Sequence, residues 1–330
     1  MTTTFNAFWV EEKEGTFTRS LTERSTDSLP EGDVLIKVHY SALNYKDALS
    51  ATGNKGVTRK YPHTPGIDAA GIVEESSASQ FQKGQKVIVT SYDLGMNTSG
   101  GFGGYIRVPA GWVLPLPEGM SLRESMILGT AGLTAGIGVW KMQQMGQKVA
   151  DGPIMVSGAS GGVGSLAVAI LHQAGYEVIG STGKTTAAAY LNTLGASEIV
   201  DRAAINDESG KPLIRGTWAG AIDTVGGNTL ATLLKGCKAN GSVAACGLVA
   251  SPSLKSTVFP FIIKGINLLG IDSATCPMEV RTQVWEKLAS DWKVPTLGEI
   301  VTDIKLEELD TYIEQILAGK TQGRVVVKVS

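Results

Sequence analysis

The chain has 330 residues, 43% of them hydrophobic and 18% charged, which is enough for about two domains with buried cores and excludes a disordered chain. Its 29 Lys and Arg against 31 Asp and Glu give a net charge of −2, which argues against a broad basic face for nucleic acid or anionic lipid. Three scattered cysteines, no signal peptide and no run long enough to span a membrane lead us to expect a cytoplasmic protein.

The first part of the chain, to about residue 120, predicts short β-strands. Apolar and polar residues alternate through Val34–Ser41, which is typical of a half-buried strand. Shorter runs follow at Ala69–Val73, Lys86–Thr90 and Tyr105–Val108, separated by glycine, proline and serine. Strands at such spacing favour a barrel or a sandwich.

From Ile154 onward, strand-like runs alternate with helical ones, which indicates βαβ units on a parallel sheet. The candidate strands are Ile154–Ser157, Glu177–Ser181, Glu198–Asp201, Gly220–Asp223, Ser242–Cys246 and Ile266–Ile271. Near the end, apolar residues from Leu306 to Leu317 predict an amphipathic helix, and Arg324–Val329 predicts a last strand. We therefore expect an α/β protein with boundaries at 1–124, 125–270 and 271–330, the last segment returning to the first domain.

The strongest motif is a glycine-rich turn, Gly158-Ala-Ser-Gly161-Gly-Val-Gly164. It follows an apolar strand and precedes an apolar helix, the context in which such glycines let the backbone approach a dinucleotide pyrophosphate. We therefore expect this turn to bind a dinucleotide; a glycine-rich turn without ligand is the alternative.

The next predicted strand indicates which dinucleotide is bound. NAD sites place a carboxylate about 20 residues after the turn, whereas this strand ends in Ser181-Thr-Gly-Lys184. A lysine beside hydroxyl groups attracts the 2′-phosphate of NADPH. We therefore predict an NADPH site at Ser181, Thr182 and Lys184, with Arg202 closing over the same phosphate; ordinary solvated charge is the alternative for the two cations.

Residues that could bind a metal are few. The histidines are His39, His63 and His172, and none forms a short-range pair with a cysteine, whereas a catalytic zinc needs about three protein ligands. We expect no metal site, so that the nicotinamide would be the redox centre.

The order of these parts resembles the medium-chain dehydrogenase/reductase superfamily over nearly the whole chain. Asn44-Tyr-Lys-Asp47 and Pro65-Gly-Ile-Asp-Ala-Ala-Gly71 are similar to its zinc-free quinone-reductase branch. Further matches to the YhdH/YhfP-type group, which includes acrylyl-CoA reductases, are Gly129-Thr-Ala-Gly132, Trp218–Gly226, Ala244–Leu248, Pro260–Ile262, Gly270–Ser273 and Gln322–Arg324. The resemblance implies a GroES-like barrel and a Rossmann domain, with the active site in the cleft between them.

The resemblance also implies site residues. The residues implied to contact the cofactor are Tyr45, Ser160, Gly161, Gly162, Val163, Thr182, Gly183, Lys184 and Arg202. Leu248, Ile262 and Ser273 are implied to lie near its nicotinamide end; for Leu248 and Ile262 a place in the core is the alternative. We predict that Asn44 and Tyr45 donate hydrogen bonds to the substrate carbonyl, with Tyr45 also a candidate proton relay. The alternative for Tyr45 is that it only orients the cofactor.

Three functions remain open. The first is an NADPH-dependent reductase of acrylyl-CoA-type enoyl thioesters, the second an NADPH-dependent quinone reductase, and the third a non-enzymatic NADPH-binding sensor or structural protein. By resemblance we also expect a homodimer that extends the parallel sheet through a strand at Ile266–Ile271.

Overall fold

The computed structural model describes residues 2–330, in which packing separates two compact units. The first unit contains 2–130, 274–282 and 301–330, and the second contains 131–273 and 283–300. Segment 283–300 therefore packs in the second unit, whereas the sequence assigned it to the return segment 271–330.

Strands and helices are numbered separately along the chain. The strands are β1 (Thr4–Lys13), β2 (Thr16–Ser25), β3 (Val34–Leu43), β4 (Asp68–Ser76), β5 (Lys86–Thr90), β6 (Tyr105–Val108), β7 (Val113–Pro115), β8 (Ile154–Val156), β9 (Val178–Thr182), β10 (Glu198–Asp201), β11 (Trp218–Asp223), β12 (Cys237–Ala245), β13 (Asn267–Gly270), β14 (Val301–Lys305) and β15 (Arg324–Lys328). The α-helices are α1 (Tyr45–Ala51), α2 (Leu122–Gln144), α3 (Gly162–Gln173), α4 (Ala188–Thr193), α5 (Gly227–Gly236), α6 (Phe259–Lys264), α7 (Met278–Ala289), α8 (Leu297–Ile300) and α9 (Leu309–Leu317).

The first unit is built mainly from antiparallel strands. Within the described residues, β14-β15-β3-β4-β5-β7 form one sheet in that order, β6 also pairs with β3, and β14 runs parallel to β15. The alternation predicted for Val34–Ser41 is reflected in β3, where Val34, Ile36 and Val38 point into an apolar cluster. The hairpin β1–β2, which the sequence analysis did not assign, pairs separately.

The second unit has a parallel sheet with helices between its strands. Its order is β10-β9-β8-β11-β12-β13, and every neighbouring pair is parallel. Strands β9 and β10 lie on one side of β8, and the chain then crosses to the other side of β8 to form β11. A topological switch point therefore lies between β8 and β11, where sheets of this kind bind ligands beyond the strand ends.

No helix within residues 2–330 is both long and apolar enough to cross a membrane.

Candidate functional site

The glycine-rich turn joins β8 to α3, and the strand–turn–helix context predicted for it is confirmed. Gly158 has a φ of +59°, which favours glycine, and Gly161 caps α3. A Cβ at Gly164 would lie 2.2 Å from the carbonyl oxygen of Gly158, so only glycine lets the first turn of α3 pack this closely on the loop. The first N–H groups of α3 have no partner within the helix and suit a pyrophosphate.

The ends of β8 and β11 are fastened together at the switch point. The Ser157 hydroxyl donates to Oδ1 of Asp223 at 2.6 Å, and the Thr224 hydroxyl donates to the carbonyl of Ser157 at 2.9 Å. The N–H of Gly226 donates to the other oxygen of Asp223, whose pKa burial raises. These bonds hold the rim of the switch point in one geometry.

The end of β9 carries the residues predicted to select NADPH, and the structure brings them together. The hydroxyl oxygens of Ser160 and Thr182 lie 2.9 Å apart, and the N–H of Lys184 donates to Thr182 Oγ1 at 3.1 Å. A Cβ at Gly183 would lie 3.0 Å from Nε of Arg202, so the absence of a side chain there lets the guanidinium lie over the strand end.

Two further observations bear on whether this place fits a phosphorylated ribose. Ser181 is buried, and its hydroxyl has no hydrogen-bond partner among the described residues. Asp201, paired with Thr182 in register, uses Oδ1 to accept from the N–H of Ala203. The two cations and the hydroxyl groups of Ser160 and Thr182 fit an anionic ligand group.

The residues predicted for the nicotinamide end differ in their surroundings. A Cβ at Gly247 would lie 2.0 Å from the carbonyl oxygen of Thr224, which places the segment leading to Leu248 against the turn after β11. The side chains of Leu248 and Ile262 are 64% and 73% exposed, so the alternative that they belong to the core is wrong. The Ser273 hydroxyl accepts from Thr134 Oγ1 at 2.6 Å. The assignment of all three to the nicotinamide end stays a prediction.

In the first unit, Asn44 and Tyr45 form the start of α1. Asn44 is the N-cap, and its backbone N–H donates to Oδ2 of Asp47 at 2.7 Å in a capping box. Tyr45 is the first helical residue, and its side chain is 53% exposed. Tyr45 is therefore open to a ligand.

The side chain of Asn44 points into a buried polar cluster that the sequence analysis did not identify. Its Nδ2 donates to Asp68 Oδ2 at 2.8 Å, and its oxygen accepts from Arg324 at 3.2 Å. These contacts engage both the oxygen and the nitrogen of the amide. The predicted hydrogen bond from Asn44 to the substrate stays a prediction. The sequence signal that could have revealed part of this cluster is Asn44-x-x-Asp47, a helix-start pattern.

Asp47 is fully buried beside this cluster, and its two oxygens accept from the N–H groups of Asn44 and Ile67. Burial, together with the charge of Asp68, raises the pKa of Asp47 to about 7. Asp47 therefore changes its charge within the physiological pH range.

The cysteine and histidine side chains do not form a metal centre. Within residues 2–330, no group of three or more His, Cys, Asp and Glu is placed to hold a metal ion. Burial raises the pKa of both Cys237 and Cys246 to about 12, so neither thiol is a ready thiolate.

Family models match both parts of the chain. The alcohol dehydrogenase GroES-like domain matches residues 30–118, and the model described as zinc-binding dehydrogenase matches residues 162–290. Among curated proteins, YhfP of Bacillus subtilis, whose name places it with the quinone oxidoreductases, is 45% identical over 99% of this chain and 100% of its own. The acrylyl-CoA reductase AcuI of Ruegeria pomeroyi is 43% identical over 99% of both chains.

The chain belongs to the YhfP/AcuI family of oxidoreductases. Solved structures of this family agree with that membership. The YhdH oxidoreductase of Salmonella enterica in complex with NADP superposes with a TM-score of 0.96 at 40% identity, over 98% of this chain and 100% of that one. Bacillus subtilis YhfP with NAD bound gives 0.97 at 45% identity, over 99% of both chains. The predicted fold, a GroES-like domain joined to a Rossmann-type sheet, is confirmed, as is the YhfP/AcuI family resemblance.

Proposed function

We propose that this protein is an NADPH-dependent reductase of activated carbon–carbon double bonds, acting on acrylyl-CoA-type thioesters without a metal. The assignment of NADPH as the cofactor rests on the cluster of Thr182, Gly183, Lys184 and Arg202 beside the glycine turn. The substrate class is supported by the 43% identity to an acrylyl-CoA reductase over nearly the full length of both chains. The donor set within residues 2–330 supports chemistry without metal.

The proposed mechanism gives each predicted site residue a task. Bound NADPH supplies a hydride to the β-carbon of the alkene. Ser160–Val163, Thr182–Lys184 and Arg202 would bind its phosphates, and Leu248, Ile262 and Ser273 would lie toward its nicotinamide end. The Tyr45 hydroxyl would donate a hydrogen bond to the thioester oxygen, where negative charge develops, and would relay a proton from solvent to the α-carbon. Tyr45 also contacts the cofactor in this proposal.

A quinone reductase is the second candidate. It is favoured by the 45% identity to YhfP, whose name places it with the quinone oxidoreductases. It uses the same cofactor site but needs no group that recognises CoA. Three cations near the start of the chain could meet CoA phosphates, namely Lys55, Arg59 and Lys60. Among them, Lys55 forms an ion pair with Glu12, whose Oε2 lies 2.5 Å from the lysine Nζ.

Turnover on several acceptors tests the proposal. We expect NADPH to be oxidised faster by acryloyl-CoA than by crotonyl-CoA or small quinones, as measured by kcat/KM from the loss of NADPH absorbance. Tyr45→Phe should lower kcat/KM for acryloyl-CoA by roughly 100-fold, because one donor is lost where charge develops. A preference for quinones contradicts the thioester assignment. Tight NADPH binding without turnover on any acceptor would support the sensor alternative.

We also propose that the protein is a cytoplasmic homodimer joined along β13. This strand is one of the two edges of the parallel sheet within the described residues, and exposed edges need covering. Apolar residues are exposed on β13, on α6 and at the N-cap of α6, among them Leu268 at 38%, Ile263 at 60% and Val258 at 63%.

Light scattering coupled to size exclusion tests the proposed dimer. We expect twice the mass of one chain, and Leu268→Asp should shift the equilibrium to monomer because it places a charge at the covered edge. A monomeric wild-type protein at micromolar concentration contradicts this interface.

A further inference from the structure

The side-chain amide of Asn44 is held on every side. Its oxygen accepts from Nη1 of Arg324 at 3.2 Å, and its nitrogen donates to Asp68 Oδ2 at 2.8 Å and to the carbonyl of Ala42 at 3.2 Å. Arg324 Nη1 also donates to the carbonyl of Leu43 at 3.3 Å. The three residues that lead into Tyr45 are therefore anchored one after another to the same cluster.

The other side of this cluster is a break in α2. Gly129 has φ 50° and ψ −153° inside the helix, and a Cβ there would lie 2.5 Å from Asp68 Oδ2. The N–H of Thr130 donates to both oxygens of Asp68 at 3.0 Å, and its hydroxyl donates to Oδ1 at 2.6 Å. Arg324 Nε donates to the carbonyl of Ile127 at 2.9 Å. One carboxylate and one guanidinium thus bind backbone groups that flank the break.

The burial of these two charged groups indicates that they fix geometry. Asp68 is 0% and Arg324 3% exposed, and Nη2 lies 3.9 Å from Oδ2. A buried ion pair is weak evidence for stability, because the loss of solvation offsets the attraction between the charges. The directional hydrogen bonds from this pair to Asn44, Leu43 and the helix break are what the arrangement provides.

We propose that Asp68, with Arg324, is a positioning residue for Tyr45: it fixes the backbone at Asn44 and thereby the place of the Tyr45 hydroxyl. This inference rests on the proposed function, in which that hydroxyl binds the thioester oxygen. Small displacements of a catalytic group cost large factors in rate, up to about 100-fold for 1 Å. Asp68 itself acts only through Tyr45 and does not touch the substrate.

A double-mutant cycle with acryloyl-CoA tests this role. We expect Asp68→Asn to lower kcat about tenfold while the Kd for NADPH, measured by fluorescence, changes less than twofold. Thr130→Val removes one hydroxyl donor to Asp68, together with the hydrogen bond between Thr130 and Ser91, and leaves both charges. It should lower kcat about threefold. In a Tyr45→Phe background both substitutions should lower kcat less than twofold, because the group they position is absent. Asp33→Asn is the control and should leave kcat unchanged. Asp33 is an exposed residue of the same unit whose Oδ2 accepts from the N–H of Ala110, and asparagine keeps an oxygen acceptor there.

The alternative outcomes separate this inference from the proposed function. Equal losses in the wild-type and Tyr45→Phe backgrounds mean that Asp68 is only structural, and the inference is then wrong. If Asp68→Asn does not fold, the Thr130→Val cycle decides alone. If the wild-type protein does not reduce the thioester, the proposed function fails. Hydrogen exchange then still tests the positioning, since Asp68→Asn or Thr130→Val should speed exchange in residues 45–51 at least fivefold over Asp33→Asn. Unchanged exchange overturns it.

Discussion

Replacing both Lys184 and Arg202 by alanine is expected to weaken NADPH binding about 100-fold and to change NADH binding less than threefold. The two dinucleotides differ only in the 2′-phosphate, so a residue that contacts this group discriminates between them. A charge-assisted hydrogen bond contributes about 1.5 kcal/mol, or about tenfold in Kd, for each residue. Gly183 supports this assignment, because its missing side chain lets Arg202 lie over the strand end that carries Lys184.

Fluorescence titration of both dinucleotides against the single and double variants measures this preference. Lys148→Ala is the matched control, because Lys148 precedes β8 and so lies toward the opposite ends of the parallel strands. The experiment is informative within this family, since one solved relative is complexed with NADP and another has NAD bound. Equal affinity of the wild-type protein for NADPH and NADH would contradict the proposed 2′-phosphate site and the roles of Lys184 and Arg202 in it.

The parts of the fold that were predictable are those whose signal is local. Strands β5 and β10 begin and end at the predicted residues because each is a short apolar run between turn residues. The β1–β2 hairpin has no such signal: β2 is largely exposed or half-buried along its length, so apolar periodicity does not mark it. Its partner β1 buries a continuous run, Ala7–Val10, which does not alternate either.

The candidate site divides in the same way. The glycine turn and the end of β9 are contiguous in sequence, and their chemistry follows from residue types and spacing. The cluster around Asn44 is assembled from distant positions, since Asp68 is 24 residues away and Arg324 280. A single sequence shows no link between a carboxylate, a glycine break in a helix and an arginine near the end of the chain. The contacts of Asn44 with Asp68 and Arg324 therefore could not be predicted from the sequence.

The stability of the wild-type protein, relative to an Asp47→Asn variant, is expected to fall as the pH rises from about 5 to about 8. Burial and the charge of Asp68 raise the pKa of Asp47 from 3.8 to about 7. In the unfolded chain Asp47 is ionised above its ordinary pKa, whereas the folded protein keeps the proton until the pH reaches about 7. The folded state thus binds more protons in this window, and the free energy of unfolding falls by up to about 1.4 kcal/mol per pH unit.

Urea denaturation of both proteins at several pH values measures this difference. The Asp47→Asn variant should be less stable at low pH. The two oxygens of Asp47 accept from the backbone N–H groups of Asn44 and Ile67, and in asparagine an NH₂ donor would face one of these N–H donors. The difference in free energy of unfolding between wild type and Asp47→Asn should shrink by about 2 kcal/mol between about pH 5 and about pH 7, since the asparagine does not titrate. The free energy of unfolding of Asp33→Asn should differ from that of the wild-type protein by the same amount at every pH. Parallel curves for wild type and Asp47→Asn would mean that Asp47 is already ionised when folded, so that the cluster holds two buried carboxylates against the single guanidinium of Arg324.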